Sequence, residues 1–289
     1  MLPAPFEYHR PDTLEEALDL LAEHGDDAKV LAGGQSLIPL MKLRFAAPGR
    51  LIDVNRIADL DGIEERDGFL RIGALVRHNQ LAGSDVIKRG YPTIAAAAPM
   101  ISDPIVRNLG TMGGSLAHAD PSGDLGSVML ALEASVVVRS TGGEREIAAT
   151  GLAEGPFQSS IAPNELLTEV RVPSPGLRSG GTYLKLERKI GDFATVAAAI
   201  FLTLENGSIG RAGIGLTSVG LTNLRAEAAE AALSGAPPGE DAWAEAGRLA
   251  AEAAQPSTDV RGSADYKRHV VDVYVRRGLA AAAEMAGAA

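Results

Sequence analysis

Hydrophobic positions near the N-terminus recur with the spacing of an α-helix. Leu14, Leu18 and Leu21 lie three or four residues apart, which places them on one helical face. Thr13 and Glu16 form the pattern of a capping box at the start of this run. We therefore predict a first helix that begins after Thr13.

Short apolar runs bounded by glycine or proline predict strands. They lie at 29–31, 51–54, 70–73, 136–139 and 166–172. The first 60 residues are thus predicted to form a small α/β unit, with a glycine-rich loop between a strand and a helix. Residues 85–102 are rich in alanine and contain Tyr91-Pro92, so we predict a helix entered at the proline.

The character of the chain changes after a segment rich in Pro, Gly and Ser at 173–181, which we interpret as a linker. Beyond it, Asn206-Gly207 separates two apolar runs, 196–204 and 208–216. This dipeptide predicts a β-hairpin, because a type I′ turn needs positive φ at both central residues. Helices are predicted at 224–233, 242–254 and 263–285, so the second half resembles antiparallel strands backed by helices.

Composition narrows the function classes. The 289 residues favour about two domains. The net charge is 27 − 37 = −10 with no basic run, which opposes nucleic-acid binding. Without cysteine the chain cannot hold an iron–sulfur cluster through thiolates, and its five histidines show no metal-ligand spacing. No secretory signal and no apolar run long enough for a membrane span is readable, so we expect a soluble intracellular protein.

Two glycine-rich segments, both predicted to be loops, are the candidates for chemistry. The first is 31–39 (LAGGQSLIP) and the second is 110–121 (GTMGGSLAHADP), with Asp124 just beyond. Paired glycines allow close approach of a ligand, and successive inward N–H groups form a nest that suits a phosphate oxygen. Either segment alone is better explained by a tight turn. Together they could grip a diphosphate from two sides.

Residues 30–44 (VLAGGQSLIPLMKLR) and 108–124 (NLGTMGGSLAHADPSGD) resemble the two flavin-binding segments of the FAD-binding subunits of molybdenum hydroxylases, the xanthine dehydrogenase family. The likeness covers essentially the whole chain. In the order of its segments, the chain resembles the medium subunits of aerobic carbon monoxide dehydrogenases. It implies an α+β fold with a two-part FAD-binding domain of the vanillyl-alcohol-oxidase (PCMH) type. That domain would span 1–177, as subdomains 1–56 and 57–177. A smaller α+β domain with an antiparallel sheet and helices would span 178–289.

The resemblance also implies the residues that hold FAD. The matching positions around the diphosphate and ribityl chain are Ala32, Gly33, Gly34, Gln35, Ser36, Leu37, Thr111, Met112, Gly113, Gly114 and Ser115. By the same resemblance, a second group lies near the flavin ring or another polar part of FAD: Ile101, Asp124, Leu167, Lys185 and Phe193.

For three of these residues, the sequence also allows a role that does not involve FAD. Lys185 could be a solvated lysine, although a cation near the flavin would favour the reduced ring. Asp124 could cap a helix that starts near Leu125, and Phe193 could belong to the core of the second domain. His118, inside the second segment, is interpreted as structural.

The function implied by the resemblance is that of an oxidoreductase subunit that transfers electrons. FAD on this chain would pass electrons from the [2Fe-2S] clusters of a small subunit to an external acceptor. A large subunit would carry the molybdenum cofactor and hydroxylate the substrate, and two heterotrimers would pair. The complex would be cytoplasmic, or held by partners at the inner face of the membrane. The alternative is a stand-alone FAD-dependent oxidoreductase of the same fold superfamily, for which no acid–base constellation is readable.

Overall fold

The N-terminal unit is a small parallel sheet with helices. The structure, a computed structural model, describes residues 2–287; the ends of the predicted domains at residues 1, 288 and 289 lie outside them. The strand order is β1-β3-β2, with both pairs parallel. The elements are β1 (Glu7–His9), α1 (Leu14–His24), β2 (Ala28–Leu31), α2 (Leu37–Lys42) and β3 (Arg50–Asp53).

The second unit is a five-stranded antiparallel sheet with six helices packed around it, in the strand order β4-β5-β10-β6-β7. Strands β8 and β9 form a separate two-stranded pair. The elements are β4 (Ile63–Arg66), β5 (Phe69–Gly73), α3 (His78–Gly83), α4 (Asp85–Gly90), α5 (Pro92–Ala97), α6 (Pro104–Leu109), α7 (Met112–His118), α8 (Asp124–Ala131), β6 (Ser135–Ser140), β7 (Gly143–Ala148), β8 (Ala153–Gly155), β9 (Gln158–Ser159) and β10 (Leu166–Pro173).

The C-terminal unit is a four-stranded antiparallel sheet in the order β11-β12-β13-β14, covered by helices. Its long hairpin buries a continuous apolar face against α11. The elements are β11 (Ser179–Leu186), β12 (Val196–Glu205), β13 (Ser208–Thr217), β14 (Leu224–Arg225), α9 (Glu227–Leu233), α10 (Glu240–Ala253) and α11 (Ala264–Met285).

The predictions that rest on local signals are confirmed. Helix α1 begins after Thr13, whose hydroxyl accepts the N–H of Glu16. The β12–β13 hairpin turns at Asn206 and Gly207, both with positive φ. The strands predicted at 29–31, 51–54, 70–73, 136–139 and 166–172 are present to within a residue or two.

Three predicted elements differ from the structure. The helix predicted at 85–102 breaks at Tyr91 into α4, α5 and a short 3-10 turn, because Pro92 lacks the N–H that would continue α4. The helix predicted at 224–233 begins as the edge strand β14, which pairs with β13. Of the predicted linker, residues 179–181 belong to β11, because their backbone pairs with β12.

The C-terminal sheet meets the second unit along α8, where two glycines bring the backbones into direct contact. Gly213 and Gly215 of β13 lie directly on the backbone carbonyls of Ala131 and Ser127 in α8, so that a Cβ at either glycine would collide with a carbonyl oxygen. The Thr217 hydroxyl extends this seam by donating to the Ser127 hydroxyl at 2.6 Å. Helix α8 is therefore a wall shared by the two units.

Candidate functional site

The first glycine segment is a true loop between β2 and α2. Gly34 has a φ of +71°, a conformation that favours glycine. A Cβ on Gly33 would meet the Leu109 carbonyl oxygen and would come within 2.7 Å of the Gly110 Cα. Gly34 is thus required for its positive φ, and Gly33 for its close contact with the start of the second segment.

The same loop presents a row of free backbone donors. Among residues 2–287, the structure gives no hydrogen-bond acceptor to the amide N–H groups of residues 33–37. The Ser36 side chain does not cap α2. Neighbouring peptide donors without acceptors form an anion-binding surface. The prediction of a nest is consistent with the geometry of this segment.

The second glycine segment is not a loop, which corrects the sequence prediction. Residues 112–118 form α7, and its N-cap Thr111 accepts the N–H of Gly114 at 3.1 Å. Packing explains the helix despite its two glycines, because Met112 is fully buried and a Cβ on Gly113 would collide with Ala74. The N–H groups of Met112 and Gly113 donate to the carbonyls of residues 76 and 74, both at 2.9 Å.

The consequence is a division of roles between the two segments. The N–H groups of residues 112–115 are all used within the protein, so this segment offers Gly114 and the Ser115 hydroxyl instead of a nest. The two segments adjoin each other, because a Cβ on Gly114 would lie 3.7 Å from the Ala32 Cβ. The structure thus brings Ala32 and Gly33 against Leu109, Gly110 and Gly114, whereas the buried Met112 side chain points into the core.

A polar bridge between the N-terminal and second units, which the sequence did not reveal, joins these segments. Asn55 donates from Nδ2 to the Ala32 carbonyl at 2.8 Å. Arg77 donates to the Asn55 Oδ1 at 2.6 Å and, from its other terminal nitrogen, to the Leu109 carbonyl. No spacing marks these side chains, because they come from different units and meet only in the fold.

A buried ion pair joins α8 to β11. The Lys185 ammonium lies 3.1 Å from the Asp124 Oδ2 and donates to the Met100 carbonyl at 3.0 Å. The Tyr183 hydroxyl donates to the Asp124 Oδ1 at 2.6 Å. Glu187 Oε2 lies 3.7 Å from the same ammonium. Tyr183 was not predicted, although its place two residues before Lys185 puts both side chains on one face of the strand.

Burial dominates the electrostatics of this cluster. It raises the pKa of Asp124 above the usual 3.8, and the positive charge of Lys185 and the Tyr183 hydroxyl oppose that rise. Burial and the neighbouring Asp124 carboxylate raise the pKa of Tyr183 well above 10. Tyr183 is therefore a neutral donor at physiological pH, and its proton helps to hold the carboxylate.

The buried cluster decides two of the alternatives. The Lys185 side chain is 1% exposed, so the interpretation of a solvated lysine is wrong. The Asp124 carboxylate does not cap α8, because Asp124 is the first residue of that helix and both its oxygens bind side chains from β11.

The other predicted ring contacts lie in different environments. Phe193 is 55% exposed, so it does not belong to the core of the second domain. Ile101 is half-buried, and its carbonyl accepts a hydrogen bond from Arg107 at 3.0 Å. Leu167 is buried in the core of the second unit.

His118 is at the C-terminal end of α7 and packs on an aromatic ring. Its centroid lies 5.1 Å from that of Phe157. Burial lowers the pKa of His118, with an opposing effect from Asp120. Within the described part of the chain, no three His, Asp or Glu side chains are grouped so that they could hold a metal ion. Likewise, none of the described helices is both long and apolar enough to cross a bilayer.

Comparison with known proteins matches both halves of the chain. Residues 4–175 match the family described as "FAD binding domain in molybdopterin dehydrogenase", and residues 181–282 match "CO dehydrogenase flavoprotein C-terminal domain". The chain is 41% identical to the carbon monoxide dehydrogenase medium chain of Hydrogenophaga pseudoflava, over 98% of each protein. It is 42% identical to subunit alpha of the 6-hydroxypseudooxynicotine dehydrogenase complex of Paenarthrobacter nicotinovorans, over 98% of this chain and 96% of that subunit.

A solved structure shows that the likeness extends to the whole fold. A chain of carbon monoxide dehydrogenase from Hydrogenophaga pseudoflava superposes with a TM-score of 0.96 at 43% identity, covering 99% of both chains. The predicted order of an FAD-binding domain followed by a smaller α+β domain is thereby confirmed. The chain therefore belongs to the FAD-binding medium subunits of the oxidoreductase family that includes carbon monoxide dehydrogenase and xanthine dehydrogenase.

Proposed function

We propose that this chain is the electron-transfer subunit of a molybdenum hydroxylase. It accepts electrons from [2Fe-2S] clusters on a small subunit and passes them through FAD to an external acceptor. A large subunit with the molybdenum cofactor carries out the hydroxylation. The relatives named above support this assignment, because they are subunits of multi-component dehydrogenases and match the chain over its whole length.

The observation that carries the proposal is the row of free N–H groups at residues 33–37, in a loop that adjoins Gly114 of α7. A dinucleotide has a diphosphate that needs several donors and close backbone approach. The loop supplies the donors, and Gly114 and the Ser115 hydroxyl form the opposite wall. The residues present therefore fit the diphosphate of FAD, and FAD supplies the redox-active ring when it is bound.

The buried cluster at Lys185 has a separate role in this proposal. We assign Ile101, Leu167, Lys185 and Phe193 to the surroundings of the flavin ring, as the family resemblance implies. Lys185 cannot relax into solvent, because Asp124 and the Met100 carbonyl hold its ammonium in place. A fixed cation favours the reduced, more electron-rich flavin and so raises its reduction potential. Asp124 acts on the flavin through Lys185, since both its oxygens are already bound.

The identity of the substrate belongs to another subunit in this proposal. Two relatives with similar identity to this chain carry names for different substrates, carbon monoxide and a nicotine derivative. That pattern is expected if the medium subunit handles electrons only. We infer a cytoplasmic complex in which two heterotrimers pair.

The test is to purify the chain from its native cells, identify the released flavin, and measure iron and molybdenum in the complex. FAD together with both metals and two co-purifying subunits is the expected result. A Gly114→Val chain, purified in parallel, is the control for specific flavin retention. A lone chain that contains FAD and oxidises a substrate by itself would overturn the proposal in favour of a stand-alone flavoenzyme.

A further inference from the structure

The bridge of Asn55 and Arg77 spans the boundary between the N-terminal unit and the second unit. Asn55 follows β3, and Arg77 immediately precedes α3. Each side chain reaches the backbone of a different glycine segment, at Ala32 and at Leu109. The two side chains then bind each other at 2.6 Å, so a single chain of hydrogen bonds connects the two walls of the candidate site.

Asn55 is itself held in one orientation. Its backbone N–H and its Nδ2 both donate to Asp53 Oδ1, at 3.0 and 2.6 Å. The Tyr8 hydroxyl donates to the other oxygen of Asp53 at 2.5 Å. These bonds leave the Asn55 side chain with its amide nitrogen toward Ala32 and its oxygen toward Arg77.

Peptide geometry links Asn55 to the free donors of the loop. In a trans peptide the carbonyl and the following N–H point in opposite directions within one plane. By holding the Ala32 carbonyl, Asn55 turns the Gly33 N–H to the opposite side. That N–H is the first of the row without an acceptor at residues 33–37. Losing the bond to Asn55 would free this plane to rotate.

Arg77 fixes the other wall by the same kind of contact. Its guanidinium holds the Leu109 carbonyl, against which Gly33 packs. The backbone next to Leu109 is also paired, because the backbone N–H of His78 donates to the Gly110 carbonyl at 3.0 Å. Arg77 thus connects the residue before the second glycine segment, Leu109, to Asn55, which orients the first loop.

We propose that Asn55 and Arg77 are positioning residues that set the orientation and spacing of the two glycine segments and thereby the affinity for FAD. Neither needs to touch the cofactor. The inference rests on the proposed function, in which these segments hold the diphosphate.

The test measures the dissociation constant of FAD, by quenching of flavin fluorescence, for the 289-residue chain and its Asn55→Ala and Arg77→Met variants. Each is expected to weaken binding about tenfold, which corresponds to about 1.4 kcal/mol. Because the two side chains act as one bridge, the double variant should be weakened by less than the product of the single effects. Arg77→Lys should restore part of the affinity, since an ammonium can reach one of the two acceptors.

Arg71→Met is the matched control. Arg71 is also a partly buried arginine, but it pairs with Asp67 and Glu169 in the five-stranded sheet. Measured without FAD, Arg71→Met and Arg77→Met should lose similar thermal stability. Only Arg77→Met should lose affinity for FAD.

Three results would overturn the bridge: unchanged dissociation constants in the variants, equal weakening in Arg71→Met, or effects that multiply in the double variant. If the wild-type chain binds FAD, these results leave the proposed function intact. A wild-type chain that binds no FAD after reconstitution would overturn both.

Discussion

Replacing Lys185 by Met removes the cation from the buried cluster and leaves the Asp124 carboxylate without its ion-pair partner. At 3.1 Å and an effective dielectric constant of 20, the lost attraction is about 5 kcal/mol. Part of this attraction only offsets the cost of burying Lys185. Breaking one side of a buried ion pair costs about 3–5 kcal/mol in other proteins. At about 2–4 °C per kcal/mol, we expect the melting temperature to fall by about 6–20 °C.

The pH dependence of this loss follows from the pKa of Asp124. Burial raises that pKa above 3.8 in the wild type, and removing Lys185 raises it further. A group with a raised folded-state pKa loses its stabilising contribution as the pH rises through that pKa. The deficit of Lys185→Met relative to the wild type should therefore be small near pH 4 and grow toward neutral pH.

Thermal unfolding followed by circular dichroism between pH 4 and pH 8 measures this deficit. The double variant Lys185→Met/Asp124→Asn is the control, because a neutral amide can still accept from Tyr183 and no buried charge is left unpaired. It should recover much of the lost stability. Equal melting temperatures for Lys185→Met and the wild type at pH 7.5, or a double variant no more stable than Lys185→Met, would refute the reasoning.

Three further predictions follow from named contacts. Gly114→Val should abolish FAD retention, because a Cβ at this position would come within 2.6 Å of the Thr111 hydroxyl and face Ala32 across the site; an unchanged ratio of flavin absorbance to protein in a folded variant would contradict this. Lys185→Ala should lower the flavin reduction potential and Asp124→Asn should raise it; a potentiometric titration with no shift in either would assign the pair a structural role only. Gly207→Ala should cost about 1–2 kcal/mol in urea unfolding, since φ is +85° and no neighbour lies within 4 Å of the new Cβ; a smaller loss would show that the turn relaxes.

The sequence predicts the elements whose signals are local. The helix cap at Thr13 and the turn at Asn206 each determine an element through residues a few positions apart. The first glycine segment also agrees with its prediction, because its donors and its positive φ belong to the loop itself.

Elements that depend on distant neighbours are not readable in the same way. The second glycine segment reads as a loop, yet Ala74 and the buried Met112 side chain stabilise it as a helix. Lys185 reads as an exposed strand residue because its partner Asp124 lies 61 positions away in the chain. The bridge of Asn55 and Arg77 has no sequence signature, since its two acceptors are backbone carbonyls.

The seam between β13 and α8 restricts how the molecule can move. At Gly213 and Gly215 the strand backbone lies directly on helix carbonyls, so no side chain at these two positions could adapt by changing rotamer. Such a contact cannot slide without separating completely, because close-packed surfaces have discrete fits instead of a continuum of them. Hinged opening between the FAD-binding domain and the C-terminal domain is therefore disfavoured. The two domains are therefore expected to move as one body, and local rearrangement is expected in exposed segments, such as the connection between β11 and β12 that carries the exposed Phe193.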